Sequence, residues 1–468
     1  MVAHEDARAD APNPDRPAPD VFSPIEAMPW PQVRAMQEAL LQKQLAYLRE
    51  HSVFYQKKLA AAGVDWDRIR SIDDLAIVPF TMKQDLRDSL QASPPFGEHL
   101  AADPGDIVQM QASSGTTGSP SYIALTASDL HQFTEGTARC LYTSGIRPGD
   151  RVLHGFSLSK GFVGGIPMFQ AIQHLGALDI PIGADGGVDR LMVACRDLRP
   201  DAVVAAPNFL TYLGEAAEGM IGIPANQLGV RALVVGGEPG GSDPALRGKL
   251  ESLWGATSCE VLGGTDLGVG MFAECPEQRG MHIISPDFVL TQLIDPETGA
   301  DIPIETGAIG ELVYTALGRQ ASPLLRFRTG DHVHVTDTQC PCGRTGPLIR
   351  CFGRTDDMLI VRGINLFPSA VREVVGTFQP RVSGIMRVLA DFEGHATQNN
   401  LKILVERGPA ADPADDAALK QDLDTRLRNQ LSVKTDIIIV PADSFEKPGA
   451  AKVAITIRQM PDFGKKRQ

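Results

Sequence analysis

Six small residues follow one another in the first third of the chain, at Ser113, Ser114, Gly115, Thr116, Thr117 and Gly118. The run offers many backbone N–H groups and hydroxyls, which is the chemistry that wraps a polyphosphate closely. Its spacing differs from the Walker A pattern, which requires a Gly-Lys pair four residues after the first glycine. Strand-like residues bound the run on both sides, so a phosphate-binding loop is at least as good an interpretation as a flexible surface turn.

Three later turns also carry groups that bind nucleotides. Thr265 and Asp266 follow the apolar residues CEVL, at the carboxyl end of a predicted strand, where open α/β sheets bind ligands. A carboxylate beside a triphosphate would hold Mg²⁺. Asp331, in RFRTGD, can accept hydrogen bonds from both hydroxyls of a ribose, and Arg354 lies in GRTDD. Each of these turns is weak evidence when taken alone.

Sulfur and imidazole ligands recur in two polar, turn-rich loops that contain Cys275, His282, Cys340 and Cys342. Three thiols and one imidazole match the ligand set of closed structural zinc sites. The Cys-x-Cys spacing is tighter than the usual Cys-x₂-Cys, and the alternative is a group of reduced cysteines with His282 bonded to a backbone carbonyl. We favour structural zinc because three of the seven cysteines fall in these two loops.

The elements that must position these groups follow from hydrophobic periodicity. Residues from about 108 to 268 alternate short apolar runs, such as DAVVAA and ALVVGGE, with helical spacing in VDRLMVACRDL. This alternation predicts a mostly parallel sheet flanked by helices. Residues 281–335 predict an antiparallel β portion, because strand-like runs alternate there with turn-rich segments. A smaller α/β segment follows, with a helix in ALKQDLDTRLRNQL and strands in DIIIV and VAITI.

Composition limits the classes of protein that remain. A chain of 468 residues predicts two or three domains, and its net charge of -13 disfavours nucleic acid and anionic membranes as partners. The chain has no apolar run long enough to span a membrane, and residues 1–24 read as a disordered tail because acids and prolines stand where a signal peptide needs an apolar core. We therefore expect a cytoplasmic protein with reduced cysteines.

Several longer stretches resemble the phenylacetate–coenzyme A ligase family of the adenylate-forming superfamily, namely FTMKQDLRDS, QASSGTTGSP, GGEPG, LIDPETGADIP and GRTDDMLIVRGINLFPS. The resemblance runs from about residue 30 to the C-terminus. It implies a large N-terminal domain, residues 25–355, and a small mobile α/β domain, residues 356–468, with the hinge near Asp356. It also implies that ATP, Mg²⁺ and coenzyme A take part, through an acyl-adenylate that the coenzyme A thiol then attacks.

The resemblance also implies roles for individual residues. Residues 113–118 would cradle the β- and γ-phosphates, Thr265 would bond the α-phosphate, and Asp266 would bind Mg²⁺. Asp331 would hold the ribose hydroxyls, and Arg354 would approach the ribose and phosphate. Gly363 would line the pantetheine channel. The turn formed by Gly237, Glu238 and Pro239 would border the adenine and the acyl group.

The sequence departs from the family pattern at three places. Ser119 stands where the phosphate loop usually has Lys or Arg, and Asp266 and Leu262 stand where Glu and Tyr are usual. The terminal loop, which should supply a lysine to the attacking carboxylate and α-phosphate, reads FEKPGAAKVAI. Aligning its glycine puts Ala450 at the lysine position, whereas a short insertion puts Lys452 there. We favour Lys452 over Lys447, and the alternative is that both are surface lysines.

The acyl pocket is the least determined part of the sequence. KGFVGG, residues 160–165, matches the family stretch that lines it, so Phe162 and Gly164 would lie beside an aromatic substrate, although Phe162 reads equally well as a core residue. Phe156 and Phe209 are weaker candidates. The simplest substrate is a small aromatic carboxylic acid. The open alternatives are an enzyme that loads a carrier protein in trans and a nucleotide-binding relative with weakened catalysis, and a homodimer is also left open.

Overall fold

The computed structural model describes residues 20–112, 122–159, 161, 163–238, 240–362, 364–445, 454–461 and 463. Within these residues the α-helices are α1 (Trp30–His51), α2 (Val53–Ala61), α3 (Lys83–Ala92), α4 (Ala127–Thr143), α5 (Ile166–His174), α6 (Val188–Leu198), α7 (Pro207–Ile221), α8 (Pro244–Trp254), α9 (Pro368–Gly376) and α10 (Asp416–Leu431). No helix in this part of the chain is both long enough and apolar enough to cross a lipid bilayer.

The strands of the N-terminal part are β1 (Ile107–Ala112), β2 (Tyr122–Thr126), β3 (Arg151–His154), β4 (Leu178–Ile180), β5 (Ala202–Ala205), β6 (Ala232–Val235), β7 (Thr257–Gly264), β8 (Gly268–Glu274), β9 (Met281–Ile283), β10 (Val289–Ile294), β11 (Asp301–Ile302), β12 (Ile309–Ala316), β13 (Phe327–Asp337) and β14 (Leu348–Arg354). The later strands are β15 (Leu359–Val361), β16 (Ile364–Leu366), β17 (Val382–Leu389), β18 (Ala396–Thr397), β19 (Leu401–Arg407), β20 (Thr435–Val440) and β21 (Thr456–Ile457).

One sheet of twelve described strands, in the order β11-β10-β12-β13-β14-β9-β8-β7-β6-β5-β3-β4, contains both β regions that the sequence predicts. Strands β3 to β7 pair in parallel, whereas β7 to β14 pair antiparallel. This arrangement confirms the predicted mixed α/β fold class. Strand β7 is the seam, because it is parallel to β6 and antiparallel to β8.

Both faces of the parallel half are covered by helices. Successive residues of β5 point to opposite faces, and Val203 packs in the core under α6, α7 and α8, whereas Val204 packs in the core under α4 and α5. Each is fully buried. This two-sided burial explains why β5 and β6 read as continuous apolar runs instead of alternating ones.

Residues 359–437 form an apolar core of their own, separate from the cores of the large sheet. The sheet β20-β19-β17-β21 carries α9 and α10, and both helices contribute buried side chains to this core. A local core of this kind allows the segment to pack as a unit.

Ordered contacts begin before the predicted end of the tail at residue 24. The Asp20 carboxylate accepts a hydrogen bond from Tyr142 at 2.5 Å and lies 2.6 Å from the Arg147 guanidinium. Phe22 packs against the core under α4 and α5. These contacts bring residues 20–24 onto the folded body, and residues 1–19 lie outside the described chain.

Candidate functional site

Ala112, the last residue of β1, contacts both the predicted acyl stretch and the predicted carboxylate loop. The Ala112 N–H donates to the Gly161 carbonyl at 2.8 Å, which attaches the KGFVGG stretch. The Thr265 hydroxyl lies 3.5 Å from the Ala112 carbonyl. The predicted phosphate loop, residues 113–118, follows Ala112 in the chain and lies outside the described residues.

Asp266 lies in the turn between β7 and β8, beside Thr265. Its carboxylate is mostly buried, and its Oδ1 atom has no hydrogen-bond partner among the described residues. An unpartnered buried carboxylate oxygen is unfavourable unless a ligand completes it. The atom is therefore able to take a hard cation such as Mg²⁺, for which oxygen ligands are preferred.

Arg319, which was not predicted from the sequence, holds this turn through hydrogen bonds to its backbone. Its guanidinium donates to the backbone carbonyls of Asp266 and Leu267, the latter at 2.6 Å. It also lies over the Phe133 ring, 4.7 Å from the centroid. Burial lowers the pKa of Arg319 to about 10, so the group stays charged at neutral pH. Because its hydrogen-bond partners are backbone carbonyls, which every residue has, no sequence pattern predicts this contact.

Asp331 and Arg354, which the sequence assigns to the ribose and phosphate, lie opposite each other on β13 and β14. The Arg354 guanidinium pairs with the Asp331 carboxylate and donates to the Thr329 carbonyl at 3.0 Å. Asp331 is buried, and its N–H donates to the Thr329 hydroxyl at 2.9 Å. The register of the two strands therefore brings both predicted nucleotide contacts to one place.

The turn that contains Gly237 and Glu238 faces an aromatic side chain. Gly237 has φ +81°, and a Cβ built on it would lie 3.5 Å from the Phe156 ring. Phe156 is buried beside this turn, whereas Phe209 belongs to the core on the other face of the sheet. Glu238 accepts a hydrogen bond at 2.9 Å from the N–H of Asn208, at the start of α7, where a carboxylate is favoured.

His154 supports the acyl stretch from β3. Its Nε2 atom lies 2.9 Å from the Gly164 carbonyl, and its Nδ1 atom lies 3.4 Å from the buried Asp179 carboxylate. Since a carbonyl can only accept, Nε2 is the donor. A role for His154 was not predicted from the sequence, because its partner Asp179 lies on another strand and belongs to none of the motifs.

The remaining predicted site residues are Asp356 and six positions that the structure does not describe. Asp356 belongs to the short 3₁₀ helix Thr355–Asp357. The other calls lie outside the described residues, namely Phe162, Pro239, Gly363, Lys447, Ala450 and Lys452.

Residues at the start of α9 contact the large sheet beside the predicted nucleotide motifs. The Phe367 ring lies 5.0 Å from His332 and 5.3 Å from Phe352 between centroids. A Cβ built on Gly353 would lie 2.2 Å from the Phe367 ring, and one built on Gly240 would lie 2.1 Å from the Arg372 guanidinium. The start of α9 therefore packs against Gly353, which precedes the predicted nucleotide contact Arg354, and Arg372 of α9 packs against Gly240, which follows the turn of residues 237–239.

The four predicted zinc ligands converge. Each of Cys275, His282, Cys340 and Cys342 offers one sulfur or nitrogen atom as a ligand, and these four atoms all lie within 4.8 Å of one another. The Sγ atoms of Cys275 and Cys340 are 3.7 Å apart, and His282 Nε2 lies 3.4 Å from Cys342 Sγ. Hydrogen bonds from Cys275, Cys340 and His282 lower the pKa of the Cys342 thiol.

Comparison with known proteins identifies related chains. The sequence pattern of the AMP-binding enzyme family matches residues 37–318. The chain is 36% identical to a phenylacetate–coenzyme A ligase of Thermus thermophilus over 389 residues, covering 81% of this chain and 83% of that one. It is 30% identical to the phenylacetate–coenzyme A ligase of Aromatoleum evansii over 453 residues, covering 95% of this chain and 98% of that one.

A solved structure is similar over almost the whole chain. The crystal structure of 2-hydroxyisobutyryl-CoA ligase in the postadenylation state has 27% identity and a TM-score of 0.86, covering 97% of this chain and 95% of that one. The same enzyme in the thioesterification state gives a TM-score of 0.69, with 28% identity over 97% of this chain and 94% of that one.

Proposed function

The chain belongs to the phenylacetate–coenzyme A ligase family of AMP-binding enzymes and is an ATP-dependent acid–coenzyme A ligase that acts through an acyl-adenylate, and we propose that its acid is a small aromatic carboxylic acid. The observation that carries the aromatic assignment is the Phe156 ring beside Gly237. The contacts of Ala112 with Gly161 and Thr265 support the reaction itself, because Ala112 directly precedes the predicted phosphate loop.

In the first half-reaction the carboxylate oxygen of the acid attacks the α-phosphorus of ATP and pyrophosphate leaves. Thr265 would donate to the α-phosphate, and Asp331 would accept from the ribose hydroxyls. Positioning and charge neutralisation provide most of the catalysis in such a step. Asp266 would hold Mg²⁺, whose charge neutralises the phosphates when it is bound, and its unpartnered Oδ1 supports that role.

In the second half-reaction the thiol of coenzyme A attacks the acyl carbonyl, and AMP leaves. We propose that the segment after Asp356 rotates between the two steps, with Gly363 beside the pantetheine. The two TM-scores support this, because the same relative, with almost the same identity, matches better in the postadenylation state, at 0.86, than in the thioesterification state, at 0.69. Rotation of one domain against another would produce such a difference between two states of one enzyme.

The aromatic character of the acid rests on the wall formed by Phe156 against Gly237. A planar ring packs favourably against another ring, and a side chain at position 237 would occupy the same space. Two of the related ligases are named for phenylacetate, whereas one enzyme of similar structure is named for a branched hydroxy acid. These two acid classes are therefore the ones to compare.

The test measures AMP release with ATP, Mg²⁺, coenzyme A and a panel of acids that includes phenylacetate, benzoate, an aminobenzoate, a heteroaromatic acid and 2-hydroxyisobutyrate. We expect the highest kcat/KM with an aromatic acid. A preference for 2-hydroxyisobutyrate would contradict the aromatic assignment. If AMP release required a carrier-protein thiol in place of coenzyme A, the acceptor of the acyl group would be a protein partner.

We also propose that Cys275, His282, Cys340 and Cys342 hold a structural zinc ion. Tetrahedral zinc with Zn–S bonds of ~2.3 Å places its sulfurs ~3.8 Å apart, close to the 3.7 Å between Cys275 and Cys340. Three thiolates and Zn²⁺ carry one net negative charge. Arg344 complements that charge, because, although burial alone would lower its pKa, the Glu26 carboxylate and then the Cys342 thiolate raise it above the ordinary value.

A further inference from the structure

We propose that Lys83 is a cation that binds the phosphates of the nucleotide in the first half-reaction. The inference rests on the proposed function of the Asp266 turn and assigns a role to a residue outside the four nucleotide motifs. Lys83 is the first residue of α3, and its Nζ atom lies 3.4 Å from the Asp266 carboxylate. Its side chain is one-third exposed, so the ammonium group reaches the open side of the turn.

Backbone hydrogen bonds place Lys83 at this point. Thr81 forms an isolated bridge to β13, in which its N–H donates to Arg326 and its carbonyl accepts from Arg328, each at 3.0 Å. Strand β13 also carries Asp331. The segment before α3 is thus attached to the strand that carries the predicted ribose contact.

A carboxylate fixes the first turn of α3. Asp85 accepts from the Met82 N–H at 2.9 Å and pairs with Lys58 at 2.6 Å. Two anchors, the bridge at Thr81 and this cap, therefore flank Lys83. A lysine held in this way loses less freedom on binding an anion than a lysine on a mobile loop.

The helix itself gains nothing from a lysine at this position. The N-terminus of a helix carries partial positive charge, so an acidic side chain is favoured there and a cation is not. At 3.4 Å the contact with Asp266 is longer than a strong charged hydrogen bond, and an ammonium group has three donors. A bound phosphate would favour the same residue, because the repulsion from the helix end is offset by the attraction to the ligand.

Two basic residues that the structure describes near the Asp266 turn, Arg319 and His99, do not compete for this role. The sequence from Ser113 to Pro120 contains no lysine or arginine. Arg319 is buried against backbone carbonyls, and burial lowers the pKa of His99 to about 4, which leaves its imidazole neutral. When Asp266 turns to Mg²⁺, the Lys83 ammonium would be left to pair with phosphate oxygens.

The experiment compares Lys83→Met and Lys83→Arg with the unmodified chain by calorimetric binding of Mg·ATP and of adenosine. Loss of one charged contact should weaken Mg·ATP binding about 10- to 100-fold in Lys83→Met. Adenosine, which has no phosphate, should bind unchanged, and Lys83→Arg should recover part of the affinity. Acid-dependent pyrophosphate exchange should fall in parallel, whereas thioester formation from preformed acyl-adenylate should change less.

Lys57→Met is the matched control, because Lys57 lies on α2 and pairs with the exposed Glu98. It should bind Mg·ATP like the unmodified chain. Adding Ser119→Lys to Lys83→Met should restore part of the lost affinity. Unchanged Mg·ATP binding in Lys83→Met, or an equal loss for adenosine, would overturn the proposal. A chain that binds Mg·ATP but exchanges no pyrophosphate with any acid would instead refute the proposed acid, and the binding comparison would still decide the role of Lys83.

Discussion

At the scale of single residues, the site depends on buried charges whose partners come from distant parts of the chain. Glu260 on β7 is an example, because its Oε1 atom accepts from the Gly241 N–H at 3.0 Å in the glycine turn after β6. Burial, followed by the nearby Glu274 carboxylate, raises the pKa of Glu260 to about 7. The carboxyl group therefore links the stability of this turn to pH.

Glu260→Gln should stabilise the protein increasingly as pH rises from about 4.5 to about 7. In that window the folded state holds the proton more tightly than the unfolded state, so unmodified protein loses stability with rising pH. A pKa raised from 4.5 to about 7 corresponds to on the order of 3 kcal/mol. Glutamine keeps an acceptor for Gly241 and stays neutral. Melting temperatures from pH 5 to pH 8 measure the effect, and a constant offset across this range would contradict it. The exposed Glu218→Gln is the control.

Lys452→Ala should abolish formation of the acyl-adenylate and spare the second half-reaction. The expectation follows from its place before the last predicted strand and from the resemblance to the family, in which a terminal lysine bonds the attacking carboxylate and α-phosphate. Loss of a positioned donor lowers the rate roughly 10²- to 10³-fold. Pyrophosphate exchange and thioester formation from preformed adenylate separate the two steps. If Lys447→Ala behaves this way and Lys452→Ala does not, the alignment of the terminal loop is wrong.

At the scale of elements, the Cys/His cluster joins two loops that the chain separates by more than fifty residues. Cys275 follows β8, and His282 lies on β9, whereas Cys340 and Cys342 lie between β13 and β14. Arg344, two residues further on, pairs with the buried Glu26 carboxylate at 2.8 Å. The cluster therefore lies where the antiparallel strands meet the N-terminal segment.

Cys340→Ser should remove about one zinc ion per chain and lower the melting temperature. Removing one thiolate leaves three ligands, and the binding energy of a structural metal is part of the folding energy. Elemental analysis and thermal denaturation measure the two effects. Cys351→Ser is the control, because Cys351 lies outside the cluster and should leave the zinc content unchanged. Metal-free protein with full activity and unaltered stability would disprove the zinc site.

At the scale of the whole molecule, the start of α9 packs against the large sheet, and we propose that this packing sets which half-reaction the site can perform. The Phe367 ring lies directly on Gly353, where no Cβ intervenes. The Ser369 hydroxyl donates to the Phe352 carbonyl, which adds a second contact at the same junction. Both contacts join residues before Asp356 to residues after it, so a rotation about Asp356 would break them.

Gly353→Ala should therefore slow adenylate formation more than thioester formation. The new Cβ would lie 2.2 Å from the Phe367 ring, and such overpacking costs about 1–3 kcal/mol. A penalty of that size on one arrangement shifts the balance roughly 5- to 150-fold. The rates of the two half-reactions measure this shift. Gly248→Ala on α8 is the control, since a Cβ there meets nothing within 4 Å. Equal losses in both steps would indicate misfolding instead.

The sequence by itself determined the elements and the chemistry of the loops. Helix α6 covers the same residues, 188–198, as the predicted helical segment, and β10, β12 and β13 lie in the predicted antiparallel region. Hydrophobic periodicity is a local property, so it can be detected in a single sequence. The sequence also singled out Cys275, His282, Cys340 and Cys342 by residue type, and the structure brings their ligand atoms within 4.8 Å of one another.

Only the tertiary structure decided which supporting residues hold those loops in place. Arg319 binds backbone carbonyls that any sequence could provide, and His154 contacts Asp179 on the neighbouring strand β4 and the Gly164 carbonyl in the turn before α5. Lys83 reaches Asp266 because β13 holds the start of α3. These contacts join residues that are far apart in the chain, and their geometry depends on the register of a continuous sheet. Local periodicity carries no record of that register.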